Sequence, residues 1–408
     1  MRILQVNIFY NEGSTGRIVA EIHKSLLRDG HESYVVYGRG DDWDKIDGEH
    51  LYRTTTTRQS EIYRKISRVT GLRYNTAYIE TYRLIRYIRK INPDLVHLHC
   101  MNCAYVQPYI LLNFLAKNHY PVLVTHHADV TITANCDHAF ECDKWKTGCG
   151  NCPTNISERR SFFIDGTHLS WTQMKKAFSK VKNLYASGVS DWMTNRVKIS
   201  PFFSDKECIT IKNGLNIGIF NYKGRCESLR GSLGISQNDK IALHITPNFH
   251  DPNKGSKYIL ELSKNMPDVK FLIVGVSNIN NVQLPDNVII IPPTKSQSQL
   301  AEYYSIADIT LLTSYRESFS MVAAESLSCG TPVVGFKAGA PETISIPEYS
   351  SFVEYGDIDA LRSQVYRFFA NPLDKELVSH NSQNVYNSEF MCRSYIDYYN
   401  RIINNKKL

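Results

Sequence analysis

Two carboxylates eight positions apart, Glu317 and Glu325, have the spacing in this 408-residue chain that most invites chemistry. They lie in the stretch 307–344, ADITLLTSYRESFSMVAAESLSCGTPVVGFKAGAPETI. Its pattern predicts a buried strand ending at Ser314, a loop carrying Glu317, and a helix that begins near 318–320 and holds Glu325. A helix N-terminus presents free backbone N–H groups and the positive end of a dipole, which suits a diphosphate. A carboxylate just before that terminus can accept hydrogen bonds from sugar hydroxyls. A second, about two turns later, can take a hydroxyl pair such as that of a ribose. Gly330 stops the helix and Gly339 lets backbone come close to a ligand. The competing account is a pair of surface carboxylates on a solvated helix.

Cysteine gives the second pattern. Cys136, Cys142, Cys149 and Cys152 fall within 17 residues and end in a C-x2-C pair. Four thiolates at that density suit a tetrahedral structural zinc, with an iron–sulfur cluster and free or redox-labile thiols as the alternatives. A reducing compartment argues against two disulfides. His97, His99 and His127 form a third group at expected strand ends. For each, a hydrogen-bonded histidine of the core is the rival.

The elements that must hold these residues alternate between strand and helix in two halves, which predicts parallel sheets. Strands are expected at 3–8, 33–37, 94–99, 121–126 and 183–187, then at 241–246, 269–275, 288–291, 309–313 and 332–335. Ile18, Ile22 and Leu26 mark a helix face closed by Gly30. The length exceeds what one core fills and accommodates two domains, expected at 1–205 and 206–387. The linker is expected near 213–234. A final helix, 388–408, is expected to pack back on the first domain, with a central cleft at the carboxyl ends of both sheets.

Composition is that of an ordinary globular protein, 42% hydrophobic and 21% charged, with a net charge of +7. The start, MRILQVNIFYNEG, lacks the features of a secretory leader, and no apolar run approaches the ~20 residues of a membrane span. The cytoplasm is the expected location. Between positions 53 and 91 the chain carries ten Lys or Arg against Glu61 and Glu80, with tyrosines interleaved. Such a stretch can sit on anionic lipid headgroups at the inner face of the cytoplasmic membrane, meet a polyanionic substrate, or be a solvated helix face. Nothing in the chain carries a nucleic-acid-binding signature, so no nucleic-acid partner is expected.

Taken together these segments resemble glycosyltransferase family 4, retaining enzymes of the GT-B fold with two Rossmann-like, doubly wound domains facing a cleft. Residues 1–16 look like the family's first strand and glycine-rich loop, and 94–99 like its D-x-x-H-x-H strand. Residues 125–127 resemble its T-x-H strand end, 211–220 (IKNGLNIGIF) its interdomain turn, and 249–255 the Lys-Gly of its phosphate loop. The resemblance implies that Glu317 contacts the donor sugar and Glu325 the ribose. It implies that the amides of Ser318, Phe319, Ser320, Met321 and Val322 hold sugar and phosphates, with Lys254 neutralising the diphosphate. His127 would face the transferring sugar, Gly16 the phosphates, and His99 would lie on the acceptor side.

Two departures stand out. Asn248 occupies the place of an arginine that often accompanies the lysine, leaving His244, His250 or Lys257 to compensate. Asp129 is displaced by one position from the family's T-x-H-D, which leaves the carboxylate partner of His127 open. No Asp-x-Asp pair stands where a catalytic cation would need it, so a metal-independent reaction is expected, with zinc only as a structural ion. The implied activity moves a hexosyl unit from a UDP- or GDP-sugar to a growing, lipid-linked bacterial saccharide of the O-antigen, lipopolysaccharide or exopolysaccharide type. The alternatives are a GT-B sugar-nucleotide 2-epimerase and a non-catalytic saccharide-binding member of an assembly complex.

Overall fold

The structure, a computed structural model, describes residues 1–40, 50–102, 104–152, 161, 163–224, 226–276, 279 and 282–405; Cys103 lies outside them. The chain divides into two compact units, Met1–Lys212 with Met391–Leu408, and Asn213–Phe390.

The first unit is built on a seven-stranded sheet of order β3-β2-β1-β4-β5-β6-β7. Its strands are β1 (Arg2–Asn7), β2 (Glu32–Tyr37), β3 (Leu51–Arg53), β4 (Leu95–Leu98), β5 (Val122–His126), β6 (Leu184–Gly188) and β7 (Cys208–Thr210). All pairings are parallel. Strands covered on both faces read as continuous apolar runs, and Ile3, Leu4, Val6, Leu95, Val96 and Leu98 are accordingly fully buried. Helix α1 (Gly13–Arg28) lays Ile18, Ile22 and Leu26 against Ile3, Leu95 and Leu123. The same cluster takes in Tyr395, Tyr399 and Ile402 of the helix Ser388–Asn405.

The second unit has a six-stranded parallel sheet of order β10-β9-β8-β11-β12-β13. It comprises β8 (Lys240–Ile245), β9 (Val269–Val274), β10 (Val288–Ile291), β11 (Ile309–Leu312), β12 (Val333–Phe336) and β13 (Ser350–Val353). Its core joins Phe271, Ile273, Ile309, Leu311 and Val334 to Ile259 and Leu262 of the helix Ser256–Asn265.

Both sheets reverse direction once, between β1 and β4 and between β8 and β11. Loops leaving the carboxyl ends of such a strand pair part to opposite sides and open a crevice.

Ten expected strands are present within one or two residues, and β3, β7 and β13 are additional. Each of these is a short edge strand, and none forms an apolar run that periodicity could detect. β7 also moves the boundary between units from the expected 205/206 to 212/213, because it pairs with β6 and belongs to the first sheet.

The Asn213-Gly214 pair has a packing reason. Leu215 N–H donates to the Tyr386 carbonyl at 2.6 Å, and Ser388 N–H donates to the Leu215 carbonyl at 2.8 Å. A Cβ on Gly214 would stand 2.4 Å from the Ser388 Cα and 3.0 Å from the Asn387 carbonyl oxygen. Backbone on both sides leaves no side chain to move aside. We therefore expect Gly214→Ala to destabilise the second unit by about 1–3 kcal/mol, the usual cost of forced overpacking. A thermal melt unchanged from wild type would show that the two segments can separate freely.

Candidate active site

The loop after β8 is stitched to the loop after β11. Asp251 opens a 3-10 turn, Pro252–Lys254, by accepting from the Asn253 N–H at 2.9 Å. Asn253 then bonds the other loop through both ends of its side-chain amide. Its Nδ2 donates to the Arg316 carbonyl at 3.1 Å and its Oδ1 accepts from the Arg316 N–H at 3.0 Å. The Tyr315 N–H reaches the Asn253 carbonyl at 2.8 Å, and the Thr313 hydroxyl donates to the Lys254 carbonyl at 3.0 Å. Gly255 follows at φ 66°, where a Cβ would lie 2.1 Å from the Thr313 carbonyl oxygen, so only glycine allows this approach.

The result is an ion pair between Lys254 Nζ and Glu317 Oε1 at 2.7 Å, both side chains largely buried. Burial works against the charge of Lys254, yet Glu317 and, less strongly, Asp251 outweigh it and hold the ammonium above its ordinary range. Glu317 is fixed from the other side too. Its N–H donates to the Ala338 carbonyl at 2.9 Å and its carbonyl accepts from Ala340 N–H at 3.2 Å. The Glu342 carboxylate in turn accepts from the amides of Ala338 and Gly339, each at 3.0 Å. Gly339, at φ 108°, is thereby clamped against Glu317.

The helix after Glu317 spans Met321–Ser328, starting one residue later than the expected range. Ser320 is its N-cap, accepting from the Ala323 N–H at 3.3 Å. That serine is held at φ 79°, a conformation a non-glycine residue adopts at a cost of about 1–3 kcal/mol. Phe319 is buried beneath the loop, while Ser318, Met321 and Val322 are half-buried at its surface. Glu325 is no solvated surface carboxylate: it is 7% exposed and accepts from the Tyr304 hydroxyl at 3.0 Å.

Of the groups offered in place of the missing arginine, His244 is buried and contacts the Leu311 carbonyl at 3.2 Å, and desolvation lowers it to about 4, which disfavours its charged form. His250 and Lys257 are exposed. Asn248 spends its side-chain oxygen accepting from the His250 N–H at 3.1 Å.

In the first unit the histidines separate by role. His97 is a hydrogen-bonded core residue, with Nδ1 at 2.7 Å from the Tyr399 hydroxyl and Nε2 at 2.7 Å from Thr125 Oγ1. His99 is also fully buried, and its Nδ1 lies 3.0 Å from Nε2 of the half-buried His127. The rings of His99 and His127 stack, with centroids 5.3 Å apart. Burial lowers His127 to about 4 and pushes His99 well below the usual imidazole range, with His97 and His127 adding to the effect on His99. Asp129, whose displacement left the carboxylate partner of His127 open, is engaged elsewhere. Asp129, 1% exposed, takes Arg196 in a bidentate pair at 2.8 and 2.9 Å and the Ala139 N–H at 2.8 Å. Gly16 is not in a loop: it lies in the first turn of α1, where a Cβ would meet Phe9 at 3.1–3.2 Å.

The four clustered cysteines do share one place. Cys136, Cys142, Cys149 and Cys152 line a cavity of about 20 Å³ together with Trp145 and Thr133. Cys149 contacts the Thr133 carbonyl at 3.8 Å as a thiol, and burial, reinforced by Cys142, Cys152 and Asp165, raises it to about 11. Among the described residues no set of three or more His, Cys, Asp or Glu side chains is placed to hold a metal ion.

The sequence pattern missed Asn253 and Glu342, which fix the two loops. Their signals were present: an Asp-Pro-Asn run that starts a turn, and a Pro341-Glu342 pair that opens a helical turn.

The buried histidines make acid stability a direct check. Desolvation lowers His126 to about 3 and His23, His127 and His244 to about 4, all below the ~6.5 of an unfolded chain. Between those values the unfolded chain binds more protons, so stability falls as pH drops from about 6.5 towards 4 and is level above it. Each such histidine contributes up to about 1.4 kcal/mol per pH unit in that window. Thermal melts from pH 8 to 5 measure this, and a Tm flat across that range would contradict the burial of these rings.

Comparison with known proteins agrees with this geometry. The model of the family "Glycosyl transferases group 1" matches residues 227–387, and that of "Glycosyltransferase Family 4" matches 15–146. A protein assigned as a colanic acid biosynthesis glycosyl transferase, WcaC, of Escherichia coli (strain K12) is 21% identical, covering 98% of this chain and 100% of its own. N-acetyl-alpha-D-glucosaminyl L-malate synthase of Bacillus anthracis is 21% identical over 91% of this chain and 88% of its own. Among solved structures, sucrose-phosphate synthase from Thermosynechococcus elongatus superposes with a TM-score of 0.71 at 17% identity, covering 99% and 100% of the two chains. Anabaena Alr3699/HepE, in complex with UDP-glucose, does so with a TM-score of 0.65 at 12% identity, covering 98% and 100%. Two parallel-sheet domains and family matches in both units identify the chain as a glycosyltransferase of the family 4 type, with the GT-B fold.

Proposed function

We propose that the chain transfers a hexosyl unit from a UDP- or GDP-sugar to a growing, lipid-linked saccharide, with retention of anomeric configuration. The Lys254–Glu317 pair carries this proposal. A cation and a carboxylate are fixed 2.7 Å apart at the carboxyl ends of β8 and β11, in front of a helix N-terminus. A diphosphate entering there would exchange the carboxylate for phosphate as the partner of Lys254, releasing Glu317 to accept from sugar hydroxyls. The amides at the start of the helix Met321–Ser328 add donors for the same phosphates. Glu325, on the same helix and held by the Tyr304 hydroxyl, would meet the ribose hydroxyls.

Transfer on one face of the sugar would let the departing phosphate take the proton of the acceptor hydroxyl. The protein's part is then positioning and stabilisation of the charge that develops on the leaving group. Asn248 supplies no charge, so Lys254 and the helix terminus carry that task. A neutral His127, its Nε2 directed to His99, would face the transferring sugar as a hydrogen-bonding group rather than as a cation. The solved complex of Alr3699/HepE with UDP-glucose is in keeping with a nucleotide-sugar donor for this fold.

A panel of UDP- and GDP-sugars with saccharide acceptors, followed by nucleotide release, tests the proposal directly. Release that needs no acceptor and yields an epimer would support the 2-epimerase instead. Binding without turnover would support a non-catalytic role. Alanine at Glu317 or Glu325 is expected to lower kcat/KM by at least ~100-fold, the loss of a charged hydrogen bond in a partly dry site. Lys254→Ala should act chiefly on kcat, because its partner's charge grows as the bond breaks. A change confined to KM would remove Lys254 from the leaving-group role, and inhibition by brief EDTA treatment would overturn metal independence.

A further inference from the structure

We propose that α2 (Thr57–Thr70) and the adjoining face of α3 (Tyr78–Ile91) form a docking surface for an anionic lipid bilayer. The surface belongs wholly to the first unit, and the proposal stands apart from the transfer chemistry.

α2 buries only Ser60. Ile62, Ile66 and Val69, at spacings of four and three, share one face of the helix, and they are 49%, 42% and 53% exposed. A solvated helix face would carry polar groups at those positions. On α3, Ile79 and Tyr82 are 63% and 60% exposed, although the opposite face of that helix buries Leu84, Ile85 and Ile88. The Tyr63 hydroxyl donates to Glu80 at 2.9 Å and ties the two helices side by side. The chain at Phe163 and Ile164 closes the end of α2. A Cβ on Gly71 would lie 2.2 Å from the Ile164 carbonyl oxygen, and the two side chains are 82% and 54% exposed.

Charge selects the occupant. Arg58, Lys65 and Arg68 border the apolar stripe of α2, and Arg83, Arg86 and Arg89 are exposed on α3. Of the two acids between positions 53 and 91, Glu80 is buried under Tyr63, which leaves Glu61 on the outer face. A second copy packed symmetrically on this face would set like charges against each other. A nucleic acid would find phosphate contacts but nothing to cover three branched aliphatic chains. An anionic bilayer answers both features at once. The aliphatic groups enter the boundary between headgroups and acyl chains, while the long basic side chains reach the phosphates beside them. Among the described residues no helix is long and apolar enough to cross a membrane, so the contact would lie on the surface.

Flotation of the full chain with vesicles, without any nucleotide-sugar, tests the surface independently of catalysis. Vesicles of phosphatidylglycerol and phosphatidylcholine should carry the protein, and vesicles of phosphatidylcholine alone should not. Binding should weaken as salt is raised, because exposed charges are screened. The triple variant Ile62→Ser, Ile66→Ser, Val69→Ser should lose at least ~10-fold in vesicle affinity with an unchanged Tm, since all three side chains are exposed. Arg58→Glu with Lys65→Glu should do the same, while Arg58→Lys with Lys65→Arg should bind as wild type. Absence of flotation at low salt, equal binding to neutral vesicles, or wild-type binding by the triple variant would overturn the proposal. So would a concentration-dependent dimer that the triple variant abolishes, which would give the surface to a second copy.

Discussion

In a wholly parallel sheet every crossover begins at one edge and returns to the other, so the loops that follow the strands gather at a single edge. That constraint governs this chain twice. In each unit the strand order reverses once, and the two loops beside the reversal cannot cover each other. In the second unit those loops carry Lys254 and Glu317. The side-chain amide of Asn253, bonded at both ends to Arg316, keeps them from drifting apart. A positively charged side chain and a carboxylate are thus set by backbone geometry, with few degrees of freedom left to the side chains themselves.

Both units keep a charged pair and accept the cost of burial, Asp129 with Arg196 in the first and Glu317 with Lys254 in the second, because each member compensates the other. The first also buries His97, bonded to Tyr399 and Thr125, and His99, bonded to its neighbour His127. The remaining nitrogen of His99 is buried without a hydrogen-bond partner among the described residues.

Much of the fold was legible in the sequence because parallel strands are apolar throughout and their ends are marked by glycine and polar runs. The strands that escaped, β3, β7 and β13, are edge strands whose pairing depends on neighbours far away in the chain. Glu317 and the helix that follows were legible because their spacing reflects one local turn, whereas Lys254, 63 residues away, was named only through the family resemblance. The partner of Asp129 was not legible: its one-position displacement left its role open, and Arg196, distant in sequence, claims both of its oxygens. Gly16 has a packing reason of its own, since a Cβ there would press on Phe9 at 3.1–3.2 Å. Spacing also grouped the four cysteines, and in the fold they line one small cavity.

The return of the helix Ser388–Asn405 to the first unit has a consequence for how the protein comes off the ribosome. The second unit is one continuous stretch of chain and can fold as soon as it has emerged. The first unit, although its sheet is synthesised earlier, lacks Tyr395, Tyr399 and Ile402 until translation has passed the whole of the second. Until then the cluster of Ile3, Leu95 and Leu123, covered only in part by α1, and one nitrogen of His97 await the rest of their cover. The unit made first is therefore the one completed last, and its nascent form is the stage at which a chaperone would find exposed apolar surface to hold.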